Sequence, residues 1–169
     1  MTKIDGSWYR ELRRQDRALS HEATLAVIDS ADYGVLSLAW PDGRPYCVPI
    51  NHGRVDDVIY MHCGTAGQKL DIMRQNPRAV LCVTHAGPVV TGGTPCDASI
   101  SFRSAMVFGI LRELEDEREK MAGLTALCRQ LGVDVPEPDA PDYEAYLTRA
   151  GATIVLAMDV EYMSGKARA

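Results

Sequence analysis

Several features that would assign this chain to a specialised class of protein are absent. The 18 basic residues are outnumbered by 23 acidic ones, and the net charge is −5, so no general positive field exists for nucleic acid or an anionic membrane. No apolar run approaches the roughly 20 residues that a membrane-spanning helix needs. Residues 1–8 lack the apolar core of a signal peptide. These absences predict a cytoplasmic protein that binds neither nucleic acid nor a membrane.

Paired cysteine motifs are missing as well. The five cysteines form no C-x-x-C pair, and an odd, unpaired set is typical of a reduced intracellular protein. His52, His62, Cys63 and His85 can be imagined as zinc ligands, but their spacing matches no zinc motif. We therefore expect no metal site.

The remaining composition is that of an ordinary globular protein. The chain has 169 residues, of which 46% are hydrophobic and 24% charged. This length suits one domain over residues 1–169 with a complete core.

Hydrophobic periodicity predicts a chain in which strands dominate. An Asp42-Gly43 turn joins the first two strands, and a glycine- and proline-rich loop is expected over 86–97. Strands are predicted at 33–40, 45–51, 58–63, 79–85, 99–114 (bent near Ser104 or Gly109) and 152–162, and helices at 20–30, 65–76, 116–131 and 142–149. Six strands with mostly short links predict a mainly β, antiparallel barrel with peripheral helices.

The segment between residues 60 and 73 carries the clearest chemical signal. Thr65 and Gln68 match a T-x-x-Q capping box after a glycine turn. The start of a helix attracts phosphate through its free N–H groups and dipole. Lys69 places a positive charge in the first turn, where the dipole disfavours it, and His62 precedes the turn. The pattern indicates a pocket for a phosphorylated cofactor. The alternative is a solvated lysine at a joint that binds nothing.

Stretches spread in order along the chain resemble one family. They are Arg44–Asn51 after the Asp-Gly hairpin, Tyr60–Met73 and Phe102–Gly109, with Arg13–Arg17 before them and Glu161–Lys166 after them. Together they resemble the nitroimidazole-resistance (Nim) group of the pyridoxamine 5'-phosphate oxidase-like split barrels. The resemblance covers nearly the whole chain.

This resemblance implies an FMN-binding split barrel that forms a homodimer, with flavins in the grooves between subunits. The strand beside the flavin ring corresponds to Val48, Pro49, Ile50 and Asn51. The histidine before the phosphate turn corresponds to His62, which we expect to be catalytic. The G-x-K motif corresponds to Gly67, Gln68 and Lys69, and the R-S motif corresponds to Arg103 and Ser104.

The chemistry of these residues agrees with the roles that the resemblance implies for them. A flavin phosphate needs charge-assisted donors, which Lys69, Arg103 and Ser104 could supply. A strand interrupted by Pro49 leaves backbone groups available to a ligand. The expected function is FMN-dependent reduction of small oxidised molecules such as nitroaromatics. A haem-binding or haem-degrading protein, with His62, His52 or His85 as ligand, and a non-enzymatic flavin module are the alternatives.

Overall fold

The computed structural model describes residues 9–94, 98–136, 140, 141, 143, 145 and 153–168. A 3-10 turn at Gln15–Arg17 precedes the helices α1 (His21–Asp29), α2 (Gln68–Met73) and α3 (Glu117–Gln130). The strands are β1 (Gly34–Ala39), β2 (Pro45–Ile50), β3 (Gly53–Val55), β4 (Val58–Cys63), β5 (Arg78–Val90), β6 (Ser99–Glu113) and β7 (Ile154–Arg168). They form one antiparallel sheet in the order β2-β1-β5-β6-β7-β4-β3.

The connection between β2 and β3 forces this sheet to roll up. These strands are the two edges of the sheet, yet only Asn51 and His52 separate them in sequence. Three Cα steps span at most about 11 Å, whereas the edges of a flat seven-stranded sheet lie about 29 Å apart. The sheet is therefore a barrel in which the two edges meet.

The barrel is open along part of this meeting line. β3 pairs only with residues 58–60 of β4, and β2 pairs only with β1 among the described residues. Met61–Cys63 therefore has one backbone edge without a ladder partner in the described part of the chain. We call the line between β2 and Met61–Cys63 the split.

The core consists of inward-facing side chains of the barrel strands and buried side chains of two helices. Val27 and Ile28 of α1, and Leu70 and Ile72 of α2, are buried in the same cluster as the inward-facing strand residues. α3 lies on the outside against β3 and β4, where small residues permit close contact. A Cβ on Gly53 would lie 2.4 Å from the carbonyl carbon of Ala126.

Most local predictions are confirmed. The helix predicted from Ser20 begins there, and the Ser20 side chain caps α1 by accepting a hydrogen bond from the Ala23 N–H at 3.1 Å. Asp116, whose capping role was not predicted, accepts a hydrogen bond from the Glu119 N–H at the start of α3. Gly43, at φ +87°, makes the predicted hairpin turn. The β6–β7 register shifts between Phe108 and Gly109, at one of the two positions where a bend was expected.

Three predictions about the strands are wrong. The structure has seven strands rather than six, because the three-residue β3 was missed. β5 continues to Val90, so residues 86–90 of the predicted loop are strand, while residues 95–97 lie outside the described part. β7 continues to Arg168 instead of ending at Tyr162.

Two helix details are also wrong. The N-cap of α2 is Gly67, with φ +138° and no side-chain cap bond, so Thr65 and Gln68 do not form a capping box. α3 ends at Gln130, and Leu131, the last residue of the predicted helix, is its C-cap and is 47% exposed. The helix predicted from Asp142 lies largely outside the described residues.

Candidate functional site

The side chains of β2 alternate between the core and the outer surface. Cys47 and Pro49 are exposed, whereas Val48 packs against the core and Ile50 is buried. The backbone groups of Val48 and Ile50 point toward β1, because the Trp40 N–H donates to the Arg44 carbonyl and the same register continues along β2. The backbone groups that face the free edge of β2 are therefore those of Cys47 and Pro49.

His62 lies across the split from this strand. It is exposed and pairs with Val155 of β7 through the backbone, and its side chain makes no hydrogen bond within the described part of the chain. Continuing the β3–β4 register by two residues from Gly53↔Tyr60 places Asn51 opposite His62. The Asn51 amide donates a hydrogen bond to the Asp32 carbonyl at 2.8 Å. The exposed residues Cys47, Pro49, Asn51 and His62 thus follow the outer side of the split.

The turn after β4 brings positive charge to the same place. Gly67 precedes α2, and its carbonyl accepts bonds from the N–H groups of Leu70 and Asp71. The N–H groups of Gln68 and Lys69 have no acceptor within the helix. Lys69 is half-buried and has no acidic partner among the described residues. Its charge lies close enough to Cys63 to oppose the burial that raises the pKa of that thiol.

Arg103 lies at the other end of the molecule from Lys69. The region of Lys69 adjoins the end of β6, since Arg74, just after α2, donates to Glu113 at 2.6 Å. Arg103 and Glu113 are ten residues apart on β6, which is about 30 Å of strand. One chain therefore does not bring Lys69 and Arg103 to a single phosphate.

The side chains of Ser104 and Arg103 point to opposite faces of β6. Successive side chains on a strand point to opposite faces. The Ser104 hydroxyl donates to the carbonyl of Lys166 at 3.4 Å, while Arg103 is exposed and makes no hydrogen bond in the described part of the chain. The structure therefore unites the predicted residues of β2, β4 and α2, and leaves Arg103 and Ser104 apart from them.

His52 and His85 do not line the split. His52 is fully buried, its Nε2 lies 3.0 Å from the Ile28 carbonyl, and burial lowers its pKa. The Nε2 of His85 lies 3.1 Å from the Val27 carbonyl. Both imidazoles hold the C-terminal carbonyls of α1. Of the three histidines considered for haem, only His62 has an exposed ring along the split.

Gln130 is a positioning residue that the sequence did not reveal. Its Nε2 lies within 3.1 Å of three carbonyl oxygens, those of Ile28, Asp29 and Ala31. It ties the end of α3 to the end of α1, next to the crossing between β2 and β3. No periodic pattern marks such a long-range contact.

The outer face of the central strands carries apolar side chains that none of the helices α1, α2 and α3 buries in the described clusters. Val35, Cys82 and Met106 form one row across β1, β5 and β6. Val80 lies in the next row, and Met106 is 41% exposed. All four lie outside both buried clusters of the described residues. An apolar face of this kind favours contact with another protein surface.

The described residues give no support for a metal centre or a membrane span. No group of three or more His, Cys, Asp and Glu side chains among them is arranged to hold a metal ion. No helix in the described ranges is both long and apolar enough to cross a bilayer.

Comparisons with known proteins agree with this geometry. A family model described as pyridoxamine 5'-phosphate oxidase matches residues 20–167. No curated protein sequence matches the chain.

Several solved structures share the fold. A Bacteroides thetaiotaomicron protein assigned to 5-nitroimidazole antibiotic resistance is 25% identical, with a TM-score of 0.70 over 89% of this chain and 86% of that chain. An FAD and haem binding protein from Mycobacterium smegmatis is 25% identical, with a TM-score of 0.69 over 88% and 71%. The flavocytochrome Anf3 from Azotobacter vinelandii is 21% identical, with a TM-score of 0.76 over 95% and 73%, and shows similarity of fold alone.

Proposed function

The chain belongs to the pyridoxamine 5'-phosphate oxidase family, and from that membership we propose that it is an FMN-dependent reductase of small oxidised molecules such as nitroaromatics. The observation that carries the proposal is the split, where an open strand edge and an exposed imidazole lie near Lys69, which has no acidic partner in the part of the chain that the structure describes. The relative that binds FAD and haem supports a flavin as the cofactor, and the relative assigned to nitroimidazole resistance supports this choice of substrate.

The residues along the split fit an FMN molecule. Lys69 and the free N–H groups of Gln68 and Lys69 would hold the phosphate, because each is a donor without an acceptor among the described residues. Gly67 keeps this approach open, since no atom lies within 4 Å of the position that a Cβ would take. The segment of Val48, Pro49, Ile50 and Asn51 would hold the ring edge through the backbone groups on its free edge. FMN would supply the hydride chemistry when bound.

His62 is the residue that we assign to proton transfer. Reduction of a nitro group consumes protons as well as electrons, and an imidazole can donate a proton near neutral pH. The exposed ring of His62 has no partner in the described residues, so it would be available to a substrate above the split. Its place beside the phosphate turn puts it next to the proposed flavin.

We further propose that the protein acts as a homodimer in which each flavin contacts both chains. In a two-fold interface, contacts are reciprocal. Phe108 is the midpoint between Arg103 and Glu113, and the apolar outer face lies close to it, around Met106. A two-fold axis through that face would place Arg103 of one chain over the Lys69 end of the other. The dimer would thus supply the second cation that one chain lacks.

The test starts with the purified protein and its bound cofactor. We expect a yellow protein that releases one FMN per chain on denaturation, and light scattering that gives the mass of a dimer. We expect the flavin-loaded protein to reduce a nitroimidazole under anaerobic conditions with a chemical reductant. A Soret band in place of flavin absorbance would favour the haem alternative. Bound FMN without turnover of any nitroaromatic tested would favour the non-enzymatic module.

A further inference from the structure

A small cavity lies on the outer face of the sheet where β1 begins. It has a volume of about 230 Å³, and its walls come from residues 30–35 and from three residues of β5, all within the ranges that the structure describes. Val35 and Cys82 form its edge toward the apolar outer face. Pockets for drug-sized ligands are larger, roughly 300–1,000 Å³, so this cavity suits a single small ring.

Two observations place this cavity beside the split. The side-chain amide of Asn51, on the outer side of the split, donates a hydrogen bond at 2.8 Å to the carbonyl of Asp32, which lines the cavity. β1 also pairs with β2 as far as Gly34↔Ile50. One further step of that register sets Tyr33, another lining residue, opposite Asn51. Adjacent strands lie about 5 Å apart, so Tyr33 is one strand spacing from the split.

The side chain of Tyr33 is exposed between the cavity and the split. Burial alternates along β1, with Gly34 buried and Val35 half-buried, so Tyr33 faces outward like Val35. Tyr33 is 58% exposed, and its side chain makes no hydrogen bond or ring contact among the described residues. An uncovered aromatic ring beside a cleft is available to pack against a second ring.

The polar groups of the cavity favour a ligand that donates hydrogen bonds. The Nε2 of His85 lies 3.1 Å from the Val27 carbonyl, which can only accept, so Nε2 carries the hydrogen. The neutral imidazole then has a lone pair on Nδ1, which has no partner in the described part of the chain. The Asp32 carboxylate adds a negative charge, and no lysine or arginine is among the described residues that line the cavity. The cavity therefore repels an anion and accepts an uncharged or cationic ligand.

We propose that this cavity is the substrate subsite of the reductase and selects small aromatic rings that are uncharged or positively charged. Tyr33 packs against the ring, and His85 and Asp32 accept hydrogen bonds from its substituents. A nitro group on the ring extends across Asn51 toward His62, which is two strand positions from Tyr33. The inference rests on the proposed reductase function, because it names the substrate class of that site.

Binding is tested with three rings of similar size that cannot be reduced at a nitro group: benzylamine, benzyl alcohol and benzoate. Each is titrated calorimetrically into the protein as purified, near neutral pH. We expect benzylamine and benzyl alcohol to bind and benzoate to bind far more weakly. If the purified protein holds no flavin, the proposed function fails while the titration still reports on the cavity.

Turnover is tested with the corresponding nitro compounds, para-nitrobenzylamine, para-nitrobenzyl alcohol and para-nitrobenzoate. We expect KM to be lowest for the amine and the alcohol and highest for the benzoate, with similar kcat values. A lower KM for the benzoate than for the other two would overturn the proposal. Selective binding of the rings without turnover of any nitro compound would support the selectivity of the cavity and refute the reductase function.

The aromatic contact is tested at Tyr33. Tyr33→Ser is expected to weaken the binding of benzylamine and benzyl alcohol by roughly three- to tenfold, whereas Tyr33→Phe keeps the ring and should bind as the parent does. Equal affinity of the parent and Tyr33→Ser would overturn the proposal. Failure of both compounds to bind the parent at millimolar concentration would overturn it too.

The charge selection is tested at Asp32. Asp32→Asn keeps the backbone carbonyl that Asn51 contacts, and should reduce the preference for benzylamine over benzoate by roughly two- to fivefold. Asp57→Asn removes the same charge from an exposed residue in the turn between β3 and β4, and should leave the preference unchanged. Equal affinities of the parent for benzylamine and benzoate, or an unchanged preference in Asp32→Asn, would contradict the proposed selection.

Discussion

The sharing of one flavin between two chains is the most demanding prediction of this structure. Arg103 lies near the start of β6, whereas the α2 region of Lys69 adjoins Glu113 at the end of that strand, about 30 Å of strand away. If both contact the same phosphate, they must come from different chains. Each charge-assisted hydrogen bond contributes about 1.5–3 kcal/mol, so removing either residue should weaken FMN binding by roughly 10- to 150-fold.

Mixed dimers separate the two possible arrangements. In a dimer of one Lys69→Ala chain and one Arg103→Ala chain, shared sites give one site with both changes and one site with neither. We therefore expect half of the sites to bind FMN with the affinity of the parent. The dimers are made by co-expression with two different tags, purified on both, and titrated by the quenching of flavin fluorescence.

The controls are the homodimers of each single variant and a variant of an arginine outside the proposed site. Each single-variant homodimer should lack any tight site, and Arg78→Ala, an exposed arginine at the start of β5, should bind as the parent does. A mixed dimer without a tight site would mean that sites are not shared. Unchanged binding by the Arg103→Ala homodimer would remove Arg103 from the cofactor site.

Three further predictions test the site and the fold. Replacing His62 with Ala should lower the rate of nitroimidazole reduction on the order of 100-fold with little effect on the flavin dissociation constant; equal rates would exclude its proposed role. Gly53→Ala should destabilise the protein by about 1–3 kcal/mol in urea unfolding, because its Cβ would meet the backbone of Ala126 at 2.4 Å, while Gly93→Ala, with open space around it, should not. Burial lowers the pKa of His52 in the folded state, so the unfolded state binds its proton first and stability should fall as pH drops below about 6.5. His52→Gln should remove that part of the slope between pH 7 and pH 5, and an unchanged slope would show that other groups cause it.

Helix starts and the first hairpin turn could be predicted from the sequence, because they depend on local hydrogen bonds and backbone angles. Ser20 and Asp116 cap helices because their side chains accept hydrogen bonds from N–H groups three residues ahead. Gly43 makes the hairpin turn because it can adopt a positive φ. Each of these signals acts within a few residues, and the predicted helix start at Ser20 and hairpin turn at Gly43 are confirmed.

The strand errors arise where pairing partners are distant in sequence. β3 has three residues, too few for any alternation to show, and it exists because it pairs with β4 and packs under α3. The end of β7 is strand because it pairs with β6, as Lys166 does with Ser104. Gly67 rather than Thr65 begins α2, since the position of the cap depends on how the helix packs into the core.

The residues predicted for the cofactor site came from the family resemblance, and their arrangement could not be predicted from the sequence. The resemblance pointed to Val48–Asn51, His62 and Gly67–Lys69, and the rolled sheet brings these segments to one split. The resemblance also placed Arg103 with them, and His52 was considered as a haem ligand. The tertiary structure moves Arg103 to the far end of β6 and buries His52 against α1. Helix caps and turns depend on interactions between residues that are close in sequence. The distance between two motifs instead depends on how the barrel closes, and every strand pairing contributes to that closure.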